Sequence, residues 1–130
     1  IESGAVFYHD FCPFRAEQLR RFVVEEEIGY VWYLSSKAGF SRLQAVLAEK
    51  NILSSGRIIC VESEFFGGSI ECAGLLTVGD FLMKINYYLE YEVPEMVVIP
   101  YDPFDYAGRD LEGRHYSEIE KVAQVPVVLM

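Results

Sequence analysis

The stretch Arg57-Ile-Ile-Cys-Val-Glu-Ser-Glu-Phe-Phe66, Gly67-Gly68, Ser69-Ile-Glu-Cys-Ala-Gly-Leu-Leu76, Thr77-Val-Gly-Asp-Phe-Leu-Met-Lys-Ile-Asn-Tyr-Tyr-Leu89 organises the reading of the whole chain. A run rich in β-branched and aromatic residues meets Gly-Gly and returns as a second apolar-polar alternation, which predicts a β-hairpin. In its first arm Ile59, Val61, Ser63 and Phe65 share one face, and Ile58, Cys60, Glu62 and Glu64 the other. Thr77 then opens a helix, with Asp80 three residues on as the partner of a capping box. Val78, Phe81, Leu82, Ile85, Tyr88 and Leu89 give that helix a broad apolar face to lay on the sheet.

Working outward, Ala5–His9 reads as a first strand and Arg15–Glu27 as a helix started by Pro13, with Gly29 as its C-cap. Tyr30–Leu34 (YVWYL) predicts a strand, Ser35–Gly39 a turn and Ser41–Lys50 a second helix. Val93–Tyr101 predicts a strand kept short or near an edge by Pro94 and Pro100. Asp102–Arg114 is the longest irregular segment, a length that in compact domains often marks function. Ser117-x-x-Glu120 opens a last helix, and Val125–Met130 closes the chain as a strand. No internal repeat, low-complexity tract or linker is read. The expected fold is a single α+β domain spanning residues 1–130, a mixed central sheet containing the hairpin, with about four packed helices. Its core should include Trp32, Val61, Leu82, Ile85 and Val98.

Net charge is −9 over 130 residues, and residues 66–130 carry four Lys/Arg against eleven Asp/Glu. Such a surface repels phosphate backbones, which argues against nucleic acid and toward a basic partner. Acidity that serves only solubility is the plainer reading. No apolar run is long enough to span a membrane, and no signal-peptide pattern opens the chain. Cys12, Cys60 and Cys72 form an odd set without metal-ligand spacing, which fits a reducing, cytoplasmic compartment.

The segment Asp10-Phe-Cys-Pro-Phe-Arg15, between a strand and a helix, carries the geometry of a thiolate at a helix N-terminus, and Val93-Pro94 echoes a facing cis-proline. Arg15 stands where a resolving cysteine would be, so an incidental Cys12 ahead of a Pro-initiated helix is the favoured reading, with a thioredoxin-like protein as the alternative. His115 with Asp105 or Asp110 has the chemistry of a metal or acid-base site, but no established ligand spacing supports it. No cofactor is expected and no catalytic signature is read. Met96–Ile99, as an edge strand, could pair between chains, which makes self-association a further alternative and leaves the oligomeric state open.

From Glu90 to Glu120 nine acids stand against Arg109, Arg114 and His115, with six tyrosine or phenylalanine rings threaded through the neighbouring positions from Tyr88 to Tyr116. Aromatic anchors supply contact area while carboxylates steer a cationic partner. The candidate partner-binding residues are therefore Glu90, Glu92 and Glu95 in one turn, and Tyr101, Asp102, Phe104, Asp105, Tyr106, Asp110 and Glu112 in the following loop. A solvated loop over core-facing tyrosines accounts for the same pattern equally well.

Glu62-Ser-Glu-Phe-Phe-Gly-Gly-Ser-Ile-Glu71, Ile85-Asn-Tyr-Tyr-Leu89 and the segment from Asp102 to Glu118 resemble a group of small bacterial proteins, some of them similar to immunity proteins encoded beside secreted toxins. The resemblance covers the second half, with a longer Phe-Asp to Gly-Arg-His interval and Glu71 where Gln is usual. It implies a protein that neutralises a cognate toxin; the acidity of residues 66–130 and the tyrosine belt make a basic toxin such as a nuclease, its active surface occluded, the expected partner.

Overall fold

The computed structural model describes residues 16–49, 56–63 and 76–130. In chain order the described elements are α1 (Ala16–Glu25), β1 (Val31–Ser36), α2 (Phe40–Glu49), β2 (Gly56–Val61), α3 (Val78–Leu89), β3 (Met96–Ile99), α4 (Ser117–Ala123) and β4 (Val127–Leu129). The α+β fold expected from the sequence is present, with four helices and one four-stranded sheet among the described residues.

The sheet corrects the mixed architecture. Among the described residues its order is β2-β1-β3-β4 and every strand pairing is parallel, with Tyr33 opposite both Ile58 and Val98 and with Val98 opposite Val128. Helices cover both faces, so the central strands must be apolar on both sides. All six residues of β1 and all four of β3 are buried. Of the expected hairpin, only the first arm is seen, as β2, paired in parallel with β1. The Gly67-Gly68 turn, the return arm to Leu75, the Ala5–His9 strand, Cys12 and Cys72 lie outside the described residues.

β3 is also not an edge strand: it pairs with β1 on one side and β4 on the other. Pro94 and Pro100 sit just outside it, where a missing N–H breaks no ladder bond. On one face Trp32, Leu34, Ile59, Val61, Val97 and Ile99 meet Val78, Phe81 and Ile85 of α3 and Ile119 and Ala123 of α4. On the other, Val31, Tyr33, Met96 and Val98 meet Leu19 and Val23 of α1 and Leu47 of α2. Four of the five expected core residues are fully buried, and Leu82 packs half-buried against them.

Local signals hold where side chains satisfy helix ends. Thr77 accepts from the Asp80 amide at 3.2 Å, and the Asp80 carboxylate accepts from the Thr77 amide at 2.8 Å, closing the expected capping box. The chain instead turns out of α1 at Glu27, at φ 53°, with Ile28 N–H donating to Val23 C=O at 2.9 Å, so Gly29 is not the turning residue.

The chain leaves β1 through α2 toward β2 on one side, and leaves β3 through α4 toward β4 on the other. The loops after β1 and β3 therefore diverge, opening a crevice at the C-terminal ends of these neighbouring strands.

Candidate functional site

β3 divides the acidic-aromatic belt. Glu90–Glu95 precedes the strand and Tyr101–Glu112 follows it, so the two segments leave the sheet at opposite ends. Six residue steps of extended chain lead from Glu95 to Tyr101, roughly 20 Å. The structure does not bring the two segments into one patch.

At the N-terminal end Glu92 is a hub. Its Oε2 accepts from the Tyr30 hydroxyl and from the Trp32 indole N–H, each at 2.6 Å. Arg57 Nε and Nη2 reach its two oxygens at 3.2 and 3.1 Å. The Tyr30 hydrogen bond first, then those from Trp32 and Arg57, hold the Glu92 carboxyl below its ordinary range despite partial burial. The Arg57 guanidinium lies 5.1 Å from the centre of the Tyr88 ring, which meets the Trp32 ring edge-on at 6.1 Å. Glu92 thus ties β1, β2 and the turn after α3 together. Glu95 accepts from the Gly29 amide at 2.7 Å, while Glu90 is exposed at the end of α3. Tyr87 and Tyr91 are exposed beside it, with ring centres 5.6 Å apart.

At the C-terminal end the loop is built on a feature the sequence reading missed. Asp105-Tyr-Ala-Gly-Arg109 and Asp110-Leu-Glu-Gly-Arg114 are tandem copies of Asp-x-x-Gly-Arg, and they fold alike. In the first, Asp105 N–H donates to Arg109 C=O at 2.9 Å and Gly108 N–H donates to Asp105 C=O at 2.9 Å. Its Oδ1 accepts from Ala107 and Arg109 amides at 2.8 and 3.0 Å. In the second, Asp110 N–H donates to Arg114 C=O at 2.9 Å and Gly113 N–H to Asp110 C=O at 3.0 Å, while Oδ1 takes the Glu112 and Arg114 amides at 2.9 and 2.8 Å. Gly108 and Gly113 adopt φ of 80° and 82°, the left-handed region that side chains resist. The Asp…Gly spacing repeated five residues apart was the available signal.

The two copies differ in their surroundings. Asp110 is buried, and its Oδ2 accepts the first amide of α3, Val78 N–H, at 2.7 Å. Asp105 is exposed, and the Arg109 amide first, then that of Ala107, holds its carboxyl below the ordinary range. The equivalent second residues both point to solvent: Tyr106 is 90% exposed and Leu111 54%. Asp102 and Glu112 are exposed near them in sequence, Tyr101 is partly exposed, and Phe104 is buried between Phe81 and Tyr116 at 6.3 and 5.8 Å.

His115 serves the following helix. Its Nδ1 accepts from the Ser117 amide at 3.1 Å, and its ring stacks on Tyr116 at 4.5 Å. Burial, then the Arg109 charge, pushes its pKa below 6.5. Among the described residues no group of three His, Cys, Asp or Glu side chains is placed to hold a metal, and no peptide is cis, Val93–Pro94 included. Nor is any described helix long and apolar enough to cross a membrane. Comparison with family models, curated proteins and solved structures finds no match for this chain.

Proposed function

We propose that this protein is an acidic binding protein that neutralises a basic protein partner, as an immunity protein does for a toxin of the nuclease type. The observation that carries the reading is Tyr106, almost fully exposed at the tip of a turn braced by four hydrogen bonds around Asp105. An aromatic ring on a braced turn loses little freedom when a partner covers it, which is the economy expected of an interface anchor. Leu111 repeats the arrangement one turn later, and Asp102, Asp105 and Glu112 are exposed acids close to the pair in sequence. A nuclease presents cations to its phosphate substrate, so such a surface can occupy that site without any chemistry.

The test is co-expression with the product of a toxin reading frame adjacent to the gene. Co-purification and protection from toxicity are expected. Tyr106→Ala combined with Leu111→Ala should speed dissociation about tenfold, whereas Asp102→Lys with Glu112→Lys should slow association and flatten its salt dependence. Unchanged kinetics in both double variants would remove this surface from the interface, and no binding by the wild-type chain would refute the function itself.

A further inference from the structure

We propose that the crevice between the C-terminal ends of β1 and β3 binds a small organic anion, a carboxylate or phosphate monoester with an apolar body. This site shares only Asp102 with the surface proposed around Tyr106 and Leu111 and rests on different observations. The crevice holds a cavity of about 340 Å³. That volume is at the small end of the range for ligand pockets, and its position is where open parallel sheets hold ligands.

One wall is built for negative charge. Ser35 and Ser36 end β1, 6% and 2% exposed, and both line the cavity. Ser35 Oγ donates to the Ser36 carbonyl at 2.9 Å, so its hydrogen is spent within the strand end. Ser36 Oγ instead accepts from the Gly39 amide at 3.2 Å, and its own hydrogen has no acceptor among the described residues. A buried hydroxyl with an unspent donor at a cavity wall favours a ligand acceptor there. α2 begins directly beyond it: Leu43 N–H makes the first helical bond, to Gly39 C=O at 3.0 Å. The Ser41 and Arg42 amides therefore precede the helical ladder and face the end where the macrodipole is positive. Arg42 lines the same wall and forms no ion pair among the described residues.

The remaining wall selects the rest of the ligand. Leu43, Val46, Val98 and Met130 are apolar, which suits a hydrocarbon or ring body rather than a bare inorganic anion. Asp102 is the one acidic side chain lining the cavity and follows β3 rather than β1 in the chain. It would repel an anion placed on its own side and accept a hydroxyl or amine from the far end of the ligand. The polarity of the site is therefore directional, with the anionic group at α2 and any donor at Asp102.

The experiment is a titration of amide-labelled protein with phenyl phosphate, with hydrocinnamate, with inorganic phosphate and with benzyl alcohol, followed by NMR. Saturable shifts at Ser36, Gly39, Ser41 and Arg42 are expected with at least one of the two organic anions, which also tells phosphate from carboxylate. Benzyl alcohol and inorganic phosphate should each bind at least tenfold more weakly than the better probe. Arg42→Gln and Ser36→Ala should each weaken that probe about tenfold, the loss expected for one hydrogen bond to a charged group. Arg42 is exposed, so its variant tests binding without disturbing the core. Failure of both organic anions to saturate, shifts confined to other residues, equal binding of the neutral alcohol, or undiminished binding by Arg42→Gln would each overturn the proposal.

Discussion

Replacing Glu92 tests whether this carboxylate is a beam of the fold. In Glu92→Ala the Trp32 indole N–H loses its acceptor while its residue remains fully buried. An orphaned buried donor costs about 1–3 kcal/mol. The Tyr30 hydroxyl is half-buried and recovers water in part, so its lost bond to a charged acceptor adds about 1 kcal/mol. Arg57 is largely exposed, so its pairing contributes at most about 1 kcal/mol. The sum is a destabilisation of about 3 kcal/mol, read by urea denaturation at neutral pH. Glu92→Gln should cost only about 1 kcal/mol, because one amide oxygen can still accept from both Tyr30 and Trp32 while the amide nitrogen faces Arg57. The pH dependence follows from the depressed carboxyl. Its stabilisation is complete above the ordinary carboxylate value of 4.5 and is lost as pH falls through the lower folded value, and Glu92→Gln should lack that acid-dependent component. Destabilisation of Glu92→Ala by less than about 0.5 kcal/mol, or equal costs for Ala and Gln, would refute the argument.

The tandem turns give a paired comparison: Gly113→Ala should cost about 1 kcal/mol from backbone strain alone, since nothing lies within 4 Å of the added carbon. Gly108→Ala should cost at least twice that, because the same carbon would fall 2.7 Å from His115 Nε2 and 2.9 Å from the Tyr116 ring; thermal denaturation ranks the two. His115, held below 6.5 chiefly by burial, binds fewer protons folded than unfolded, so its contribution is present above 6.5 and lost as pH falls through its folded value. NMR titration of its ring should place the folded pKa below 6.5, and His115→Asn should remove that part of the pH dependence of stability.

The sequence was most legible where one side chain answers a neighbour a few residues away. Thr77 and Asp80 cap α3 as their spacing implied, and Val78, Phe81 and Ile85 do face the sheet. The sense of strand pairing was less legible. Gly67-Gly68 after an apolar run argued for a return strand, yet β1, β3 and β4 carry apolar residues on both faces, the pattern of parallel strands covered twice. The Glu92 cluster could not be read at all, since its partners at Tyr30, Trp32 and Arg57 meet it only through strand order and register. By contrast, Asp105 and Asp110 stood in plain repetition, and their turns could have been inferred from an acid three residues before glycine.

The acids proposed to meet a partner divide by what their oxygens already hold. Glu92, Glu95, Asp105 and Asp110 accept hydrogen bonds from the protein itself, whereas Glu90, Asp102 and Glu112 are exposed without a bond of that kind among the described residues. Scaffolding and steering nevertheless do not compete at Asp105. Two amides stabilise its ionised form, so the same bonds that brace the turn keep a negative charge fixed beside Tyr106. Long-range attraction depends on where charge is held, not on whether a carboxylate also accepts a hydrogen bond. Asp110, buried against the first amide of α3, is placed to hold the fold, and Asp105 to combine shape with charge at the surface. The aspartate of this five-residue motif thus serves the interior in the second copy and is exposed in the first, which is why the copy bearing Tyr106 is the one proposed for partner contact.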